Sequence, residues 1–174
     1  MTLEEALHGK EIPQEIRDAL TLVTVPYFSF AEMKGEGQLV VHKDLLQDVE
    51  SIFAKLFARQ FPIQKMVPVV AYGWDDILSM QDNNTSSFNY RTIYGTNKIS
   101  NHALGRAIDI NPLINPHIQM SGEPLPPSAY YDPTRKGAVT PEIAEVFLSH
   151  TGWGWGGNYR DEKDWQHFQK PEVK

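Results

Sequence analysis

The sequence predicts an α+β protein with a small, mainly antiparallel sheet flanked by helices. Apolar residues recur at three- and four-residue steps in some segments and alternate with polar residues in others, so helices and strands are mixed. Because no regular βαβ order accompanies them, a parallel sheet is disfavoured. The length of 174 residues, without repeats or low-complexity linkers, favours one domain over residues 1–174, with residues 1–40 as an accessory part of it.

The clearest predicted helix covers about 43–59. Its apolar residues form one wide stripe along the helix, and Pro62 follows as a stop signal. A shorter helix is predicted over 13–20, where Pro13 lies in the first turn.

A third helix is predicted to begin at Thr140 and to end near Gly152. Thr140 offers an N-cap oxygen, Pro141 a preset φ angle, and Glu142 a negative charge near the positive end of the helix dipole.

The predicted strands are short. Alternation or β-branched residues indicate strands over 23–27, 67–72, 106–110 and 164–169. Pro68 removes a backbone donor, so the second of these is expected at a sheet edge. Polar residues predict a loop over 82–87, and six of the twelve prolines predict an irregular excursion over 112–133.

The charge and cysteine content exclude several classes of protein. Sixteen Lys and Arg residues against 22 Asp and Glu residues give a net charge of −6, and no basic run interrupts this balance. A nucleic-acid or anionic-membrane surface is therefore not expected. The absence of cysteine excludes thiol catalysis and thiolate metal sites, so any metal must be held by His, Asp and Glu.

The sequence has no predicted membrane span and no recognisable secretion signal. No stretch approaches the roughly 18 apolar residues that a span requires. The N-terminus MTLEEALHGK lacks a basic segment followed by an apolar one. The protein is either made without a signal or represented by its trimmed mature part.

Common catalytic motifs are absent. The glycine-rich segment 152–157 resembles a phosphate loop only superficially, because it lacks the Lys-Ser/Thr ending and a strand-then-helix context. A tight turn packed by two tryptophans is the favoured interpretation. The sequence also contains no Gly-x-Ser-x-Gly, Ser-x-x-Lys or His-Glu-x-x-His motif.

Two residues on either side of a glycine are candidate metal ligands. His102 and Asp109 are seven residues apart, which would separate them by roughly 23 Å in an extended chain. Gly105 permits a turn that would bring them together. Beyond this turn, alternation would direct Ile108 and Ile110 to the core and Asp109 back toward His102.

A third candidate ligand, His167, lies near the C-terminus. Two histidines and one aspartate form the three-ligand set of catalytic zinc, which leaves the fourth position open. Asp164, three residues earlier, could reach a water at that position without being a ligand. Spacing alone leaves open that the histidines are ordinary structural residues and that Asp109 is a turn or cap residue. Taken singly, the remaining histidines are interpreted as ordinary residues: His8, His42, His117 and His150.

These motifs resemble the M15 family of zinc peptidases. The resemblance rests on Ser-x-His-x-x-Gly-x-Ala-x-Asp over 100–109 and Asp-x-x-His-Phe over 164–168, and extends over roughly 85–170. The family includes D-alanyl-D-alanine carboxypeptidases, D,D-dipeptidases and L-alanyl-D-glutamate endopeptidases of peptidoglycan. The resemblance implies a VanY-type domain with a hedgehog/DD-peptidase-like fold.

The resemblance also implies roles for individual residues. His102, Asp109 and His167 would hold one Zn²⁺ ion, and Asp164 would be the general base. Arg91 corresponds to an arginine that faces the substrate carbonyl, although a surface ion pair is the alternative for it.

Substrate-binding residues are predicted with more alternatives. Ser100, Tyr90, Trp153 and Trp155 are the candidates, but capping is equally open for Ser100, and core packing for the tryptophans. Two positions depart from the family pattern: Tyr90 is often Cys in similar sequences and Gln169 often Glu. Both departures are expected to affect the surroundings of the site rather than its ligands.

The resulting prediction is a zinc-dependent peptidase that hydrolyses amide bonds in peptidoglycan stem peptides. It would act as a D-Ala-D-Ala carboxypeptidase or an L-Ala-D-Glu-type endopeptidase, as a monomer in the cell envelope, periplasmic or extracellular. The alternatives are a non-catalytic zinc-containing module that binds the cell wall and, more remotely, a metal-free binding domain.

Overall fold

The computed structural model describes residues 1–93 and 96–172, and confirms the α+β class. The helices are α1 (Leu3–Ala6), α2 (Gln14–Ala19), α3 (Leu46–Ala58), α4 (Asp76–Gln81) and α5 (Pro141–Leu148). The strands are β1 (Leu20–Phe28), β2 (Lys34–His42), β3 (Lys65–Met66), β4 (Asn84–Thr85), β5 (Ala107–Asp109), β6 (His117–Ile118), β7 (Pro124–Leu125), β8 (Gly154–Trp155), β9 (Lys163–Asp164) and β10 (His167–Gln169).

Antiparallel pairing dominates, as predicted, but the described strands form four small sheets rather than one. Their orders are β1-β2, β5-β10-β8, β3-β4 and β7-β6-β9, and among the strands of the described residues only the β3-β4 pair is parallel. The sheet β5-β10-β8 positions the candidate site, because two of the predicted ligands lie on its strands.

The long β1-β2 hairpin separates two apolar clusters. Leu39 and Val41 face the main core, which also contains Phe168 of β10. Leu20 and Val40 belong to a second cluster. The N-terminal hairpin and the C-terminal strands therefore share one core, although the assignment of residues 1–174 to a single domain stays a prediction.

The predicted helix over 43–59 is confirmed as a 3₁₀ turn, Lys43–Leu45, followed by α3. Its buried stripe consists of Val49, Ile52, Phe53 and Leu56. The predictions for 13–20, 23–27 and 106–110 are confirmed as α2, β1 and β5. The helix after Thr140 is confirmed as α5, although within the described residues the Thr140 side chain makes no cap hydrogen bond.

The predicted strand over 67–72 is wrong. Val69–Tyr72 form a 3₁₀ helix, with Pro68 as its N-cap at φ −57°. Gly73 ends it in the left-handed region at φ +61°, which glycine adopts without a steric penalty. The proline that was expected to mark a sheet edge instead presets the first turn of this helix.

The loop predicted over 82–87 contains the short strand β4, and all of its residues but Asp82 are buried. Asn84 bonds the backbone of Val67 with both its amide oxygen and its amide nitrogen, 2.9 Å each. Ser86 exchanges two backbone hydrogen bonds with Asp109, at 3.1 and 2.8 Å. These side-chain and backbone bonds explain how so polar a segment is buried. The excursion over 112–133 is irregular apart from the short strands β6 and β7.

The predicted strand over 164–169 is interrupted. β9 pairs with β6, and β10 pairs with β5 and β8, so the two halves belong to different sheets. Trp165 and Gln166 form the bend between them. No helix in residues 1–93 and 96–172 is long and apolar enough to cross a membrane.

Candidate metal centre

His102 is presented by a 3₁₀ helix, Asn101–Leu104. The Ser100 hydroxyl caps this helix and accepts a hydrogen bond from the His102 backbone at 3.2 Å. Gly105 then reverses the chain at φ +65°. This turn returns the chain into β5 and so brings Asp109 beside His102, as the spacing predicted.

Asp109 and His167 are cross-strand partners in the β5-β10 pair. Their neighbours Ile108 and Phe168 are also paired and are buried in the main core. Alternation along both strands therefore places the apolar pair on one face and the two candidate ligands on the other.

Three ligand atoms converge at this point. Asp109 Oδ1 lies 2.9 Å from His167 Nδ1, and Asp109 Oδ2 lies 3.2 Å from His102 Nε2. The two imidazole nitrogens are 3.2 Å apart. All three residues offer one ligand atom within 4.8 Å of the others, so the structure brings the predicted ligands together.

The outer nitrogen of each imidazole is bonded away from this cluster. His102 Nδ1 donates to the Ser87 carbonyl at 2.5 Å, and His167 Nε2 donates to Gln169 Oε1 at 3.1 Å. In neutral imidazoles the inner nitrogens then carry lone pairs, which face a carboxylate. Such an arrangement requires a positive charge at its centre, and this donor set fits Zn²⁺.

In the absence of a metal, protons supply this charge. Burial alone would raise the pKa of Asp109, but the charges and hydrogen bonds of His102 and His167 outweigh it and hold the pKa below its usual range. Burial alone would lower the pKa of His167, but the hydrogen bond and charge of Asp109 raise it to about 9. Both pKa shifts therefore show that a positive charge is favoured beside the Asp109 carboxylate.

Asp164 lies beside the cluster, on β9. Burial raises its pKa to about 6, and the negative charge of Asp109 adds to this effect. Its Oδ1 atom is buried and has no hydrogen-bond partner among the described residues. A Cβ atom at Gly156 would lie only 2.6 Å from the Asp164 Cβ, so a glycine is required there. A partly buried carboxylate with an unpartnered oxygen and a raised pKa is typical of a general base.

Two further residues, His117 and Tyr159, lie near Asp164, and no sequence pattern indicated either of them as part of the site. His117 Nδ1 lies 4.0 Å from Asp164 Oδ2, and His117 Nε2 lies 2.8 Å from Glu162 Oε2. Burial and the charge of Asp164 raise the pKa of Tyr159 to about 12, so its hydroxyl remains a donor at neutral pH. Neither residue belongs to a recognisable motif, so the sequence carried no signal for them.

The backbone of Arg91 lies next to the helix that carries His102, because its carbonyl accepts from the backbone N–H of Ser100 at 3.2 Å. Its guanidinium forms an ion pair with Asp76 at 2.9 Å. The Asp76 carboxylate also accepts from Asn89 at 3.1 Å. The structure thus shows the ion pair that was the alternative for Arg91, while a role toward substrate stays a prediction.

For three of the predicted substrate-binding residues, the structure shows the alternative that the sequence left open. Trp153 is 7% and Trp155 is 5% exposed, and both belong to the main core, so they do not wall an open cleft. Their indole N–H groups donate to Asp48 and to the Trp165 carbonyl. Ser100 acts as a helix cap, and Tyr90 packs against the second apolar cluster. Trp153 and Trp155 are buried because they pack against residues that are distant from them in the sequence.

Two residues that bond the imidazoles, and a third that bonds one of these two, were not assigned this role from the sequence. Ser87 acts through its backbone carbonyl, which leaves no signal in a side-chain pattern. Gln169 shares a strand face with His167, two residues earlier, and this period could have indicated it. Asn101 donates to Gln169 Oε1 at 2.7 Å, which only the folded chain reveals.

Comparison with known proteins agrees with this geometry. A peptidase M15 family model described as D-alanyl-D-alanine carboxypeptidase matches residues 94–170, just under half of the chain. This region contains all three candidate ligands and Asp164, and the match confirms the resemblance to the M15 peptidases. It does not distinguish a VanY-type domain from other subtypes. No curated protein and no solved structure matches the chain.

Proposed function

We propose that this protein is a zinc-dependent peptidase that hydrolyses amide bonds in peptidoglycan stem peptides. The observation that carries the proposal is the convergence of His102, Asp109 and His167 beside the unpartnered carboxylate of Asp164. The family match supports peptidase activity. Because the substrate is part of the cell wall, we expect the protein to act in the cell envelope. We also propose that it acts as a monomer.

His102, Asp109 and His167 would hold the ion. When bound, Zn²⁺ supplies Lewis acidity, which polarises the scissile carbonyl and lowers the pKa of water toward about 7. Ser87 and Gln169 keep the two imidazoles turned inward. The burial of Asp109 excludes water that would weaken these charge interactions.

Asp164 would accept the proton of the attacking water on its carboxylate and later transfer it to the leaving amine. Arg91 would stabilise the negative charge that develops on the carbonyl oxygen, and its ion pair with Asp76 would have to loosen or swing to do so. The Tyr159 hydroxyl adds a hydrogen-bond donor near the base.

The test is digestion of purified muropeptides followed by mass analysis of the products. Release of one alanine indicates a carboxypeptidase, and a severed stem indicates an endopeptidase. Asp164→Asn is expected to bind one zinc ion as the wild type does and to lose most hydrolysis, and a chelator should abolish activity in the wild type. The matched control is Asp161→Asn, which changes an exposed aspartate nearby and should remain active.

Two results would contradict the proposal. Muropeptide binding without any cleavage would support the non-catalytic wall-binding module instead. Full activity in the chelated protein would show that the cluster is not a catalytic metal site.

A further inference from the structure

The amide of Gln169 lies at the outer edge of the candidate metal centre. Its Oε1 atom accepts two hydrogen bonds, from His167 Nε2 at 3.1 Å and from Asn101 Nδ2 at 2.7 Å. Gln169 and His167 lie two residues apart on β10, which is the central strand of its sheet. The strand on each side fixes the backbone from which both side chains project.

We propose that Gln169, oriented by Asn101, is the positioning residue that presents the Nδ1 atom of His167 to the metal ion. This inference rests on the proposed function, since it assigns a role toward the same ion.

The physical reason is a competition between two tautomers of His167. Asp109 Oδ1 lies 2.9 Å from Nδ1, so the carboxylate favours a proton on that nitrogen. A proton there removes the lone pair that a metal ion requires. An acceptor at Nε2 favours the opposite tautomer, which keeps Nδ1 free, and Gln169 Oε1 is that acceptor.

Asn101 decides which end of the Gln169 amide faces the imidazole. A flipped amide would direct its NH₂ group at His167 Nε2 and would favour a lone pair at the wrong nitrogen. The Asn101 side-chain N–H donates to Oε1 at 2.7 Å, and this hydrogen bond favours the orientation in which Oε1 faces the imidazole. A glutamate at position 169 offers an oxygen in either orientation and would not depend on Asn101.

The experiment compares zinc affinity among variants, with zinc itself as the probe and a competing chelator. Gln169→Leu should weaken zinc binding by about 10- to 100-fold, because leucine has a similar volume but no oxygen to accept from His167 Nε2. Gln169→Glu should bind zinc at least as tightly as the wild type. Asn101→Ala should weaken binding in the wild-type background and have little effect in the Gln169→Glu background. The matched control, Gln47→Leu, makes the same change at an exposed position of α3.

A second readout separates positioning from packing. Two-bond ¹H–¹⁵N spectra of the zinc-loaded protein report which nitrogen of His167 holds the ion; Nδ1 is expected in the wild type and in Gln169→Glu. Thermal unfolding of each variant shows whether it is folded. Should Gln169→Leu fail to fold, the Asn101→Ala pair of measurements still decides the question.

The inference is overturned if Gln169→Leu binds zinc like Gln47→Leu, or if Gln169→Glu is as weak as Gln169→Leu. If the wild type binds zinc and hydrolyses muropeptides normally, either result leaves the proposed function intact. Absence of zinc binding in the wild type would instead overturn both.

Discussion

Asp109 and His167 lie directly opposite each other in an antiparallel strand pair, with 2.9 Å between a carboxylate oxygen and an imidazole nitrogen. A sheet register thus brings together two groups that are 58 residues apart in the chain. The same pair influences which groups of the candidate metal centre are protonated.

Zinc binding is predicted to release one proton near pH 7. His167, with its pKa raised to about 9, is protonated in the metal-free protein, but a ligand must be neutral. The apparent affinity should rise about tenfold per pH unit from pH 7 to about 9 and then level off. Calorimetry in buffers of different ionisation enthalpy measures the released proton. The exposed variant His8→Gln should release the same proton, and binding without proton release would contradict the assignment.

Asp164→Asn is predicted to stabilise the metal-free protein above about pH 6. The native pKa of about 6 exceeds the reference value of 3.8, so between these values the folded protein holds a proton that the unfolded chain has lost. Stability contributed by this group therefore falls as pH rises from about 4 to about 6. The full penalty is on the order of 3 kcal/mol, and the variant lacks it.

Denaturant unfolding with chelator present, across pH 4 to 8, measures this difference. The gap between Asp164→Asn and the wild type should widen up to about pH 6 and stay constant above it. A gap independent of pH would show that the Asp164 carboxyl is not buried as described. Asp161→Asn serves as the control and should show no such gap.

Gly105→Ala is predicted to destabilise the protein by about 2–5 kcal/mol and to weaken metal binding. An alanine there would be strained at φ +65°, and its Cβ would lie 2.7 Å from the His42 backbone nitrogen and from a Leu20 methyl group. The turn that brings His102 to Asp109 would then shift. Thermal unfolding and zinc titration measure the two effects.

Gly9→Ala is the matched control for this change. Gly9 has a similar φ of +74°, but nothing lies within 4 Å of its missing Cβ. It should cost only about 1 kcal/mol, with zinc affinity unchanged. Equal effects of the two substitutions would show that the backbone angle alone, and not the close packing around Gly105, matters.

Arg91→Ala is predicted to lower kcat by about 10²- to 10³-fold while zinc affinity stays the same. The reason is that Arg91 would act on the carbonyl oxygen in the transition state, and it contacts none of the three ligands in the hydrogen bonds and ion pairs of the described residues. Steady-state hydrolysis of a muropeptide and a zinc titration measure both quantities. Arg160→Ala alters an exposed arginine and should behave as the wild type. Unchanged kcat in Arg91→Ala would restrict this residue to its ion pair with Asp76.

The sequence predicted elements whose signals are local. The stripe of α3, the alternation of β1 and the glycine turn before β5 depend on residues within a few positions of each other, and each is confirmed. The strand expected over 67–72 failed because Pro68 suits a 3₁₀ helix as well as a sheet edge. Local preference could not separate these two structures.

The division of 164–169 between two sheets depends on partners far away in the chain. β9 lies against β6 and β10 against β5, so the break at Trp165 is decided by long-range pairing. The burial of Trp153 and Trp155 has the same origin, since both pack with residues of the main core from other parts of the chain. A period-two pattern reports alternation and does not report which strand is the neighbour.

The sequence by itself determined which ligand groups this protein can offer to a metal ion. It supplied two imidazoles, two carboxylates and a glycine, in an order that resembles the M15 peptidases, and it contained no thiol. Only the tertiary structure decided that Ser87 and Gln169 turn the imidazoles inward and that the Oδ1 atom of Asp164 is buried without a hydrogen-bond partner among the described residues. Ligand identity is a property of each residue, whereas tautomer, burial and pKa depend on whatever the folded chain places within a few ångströms.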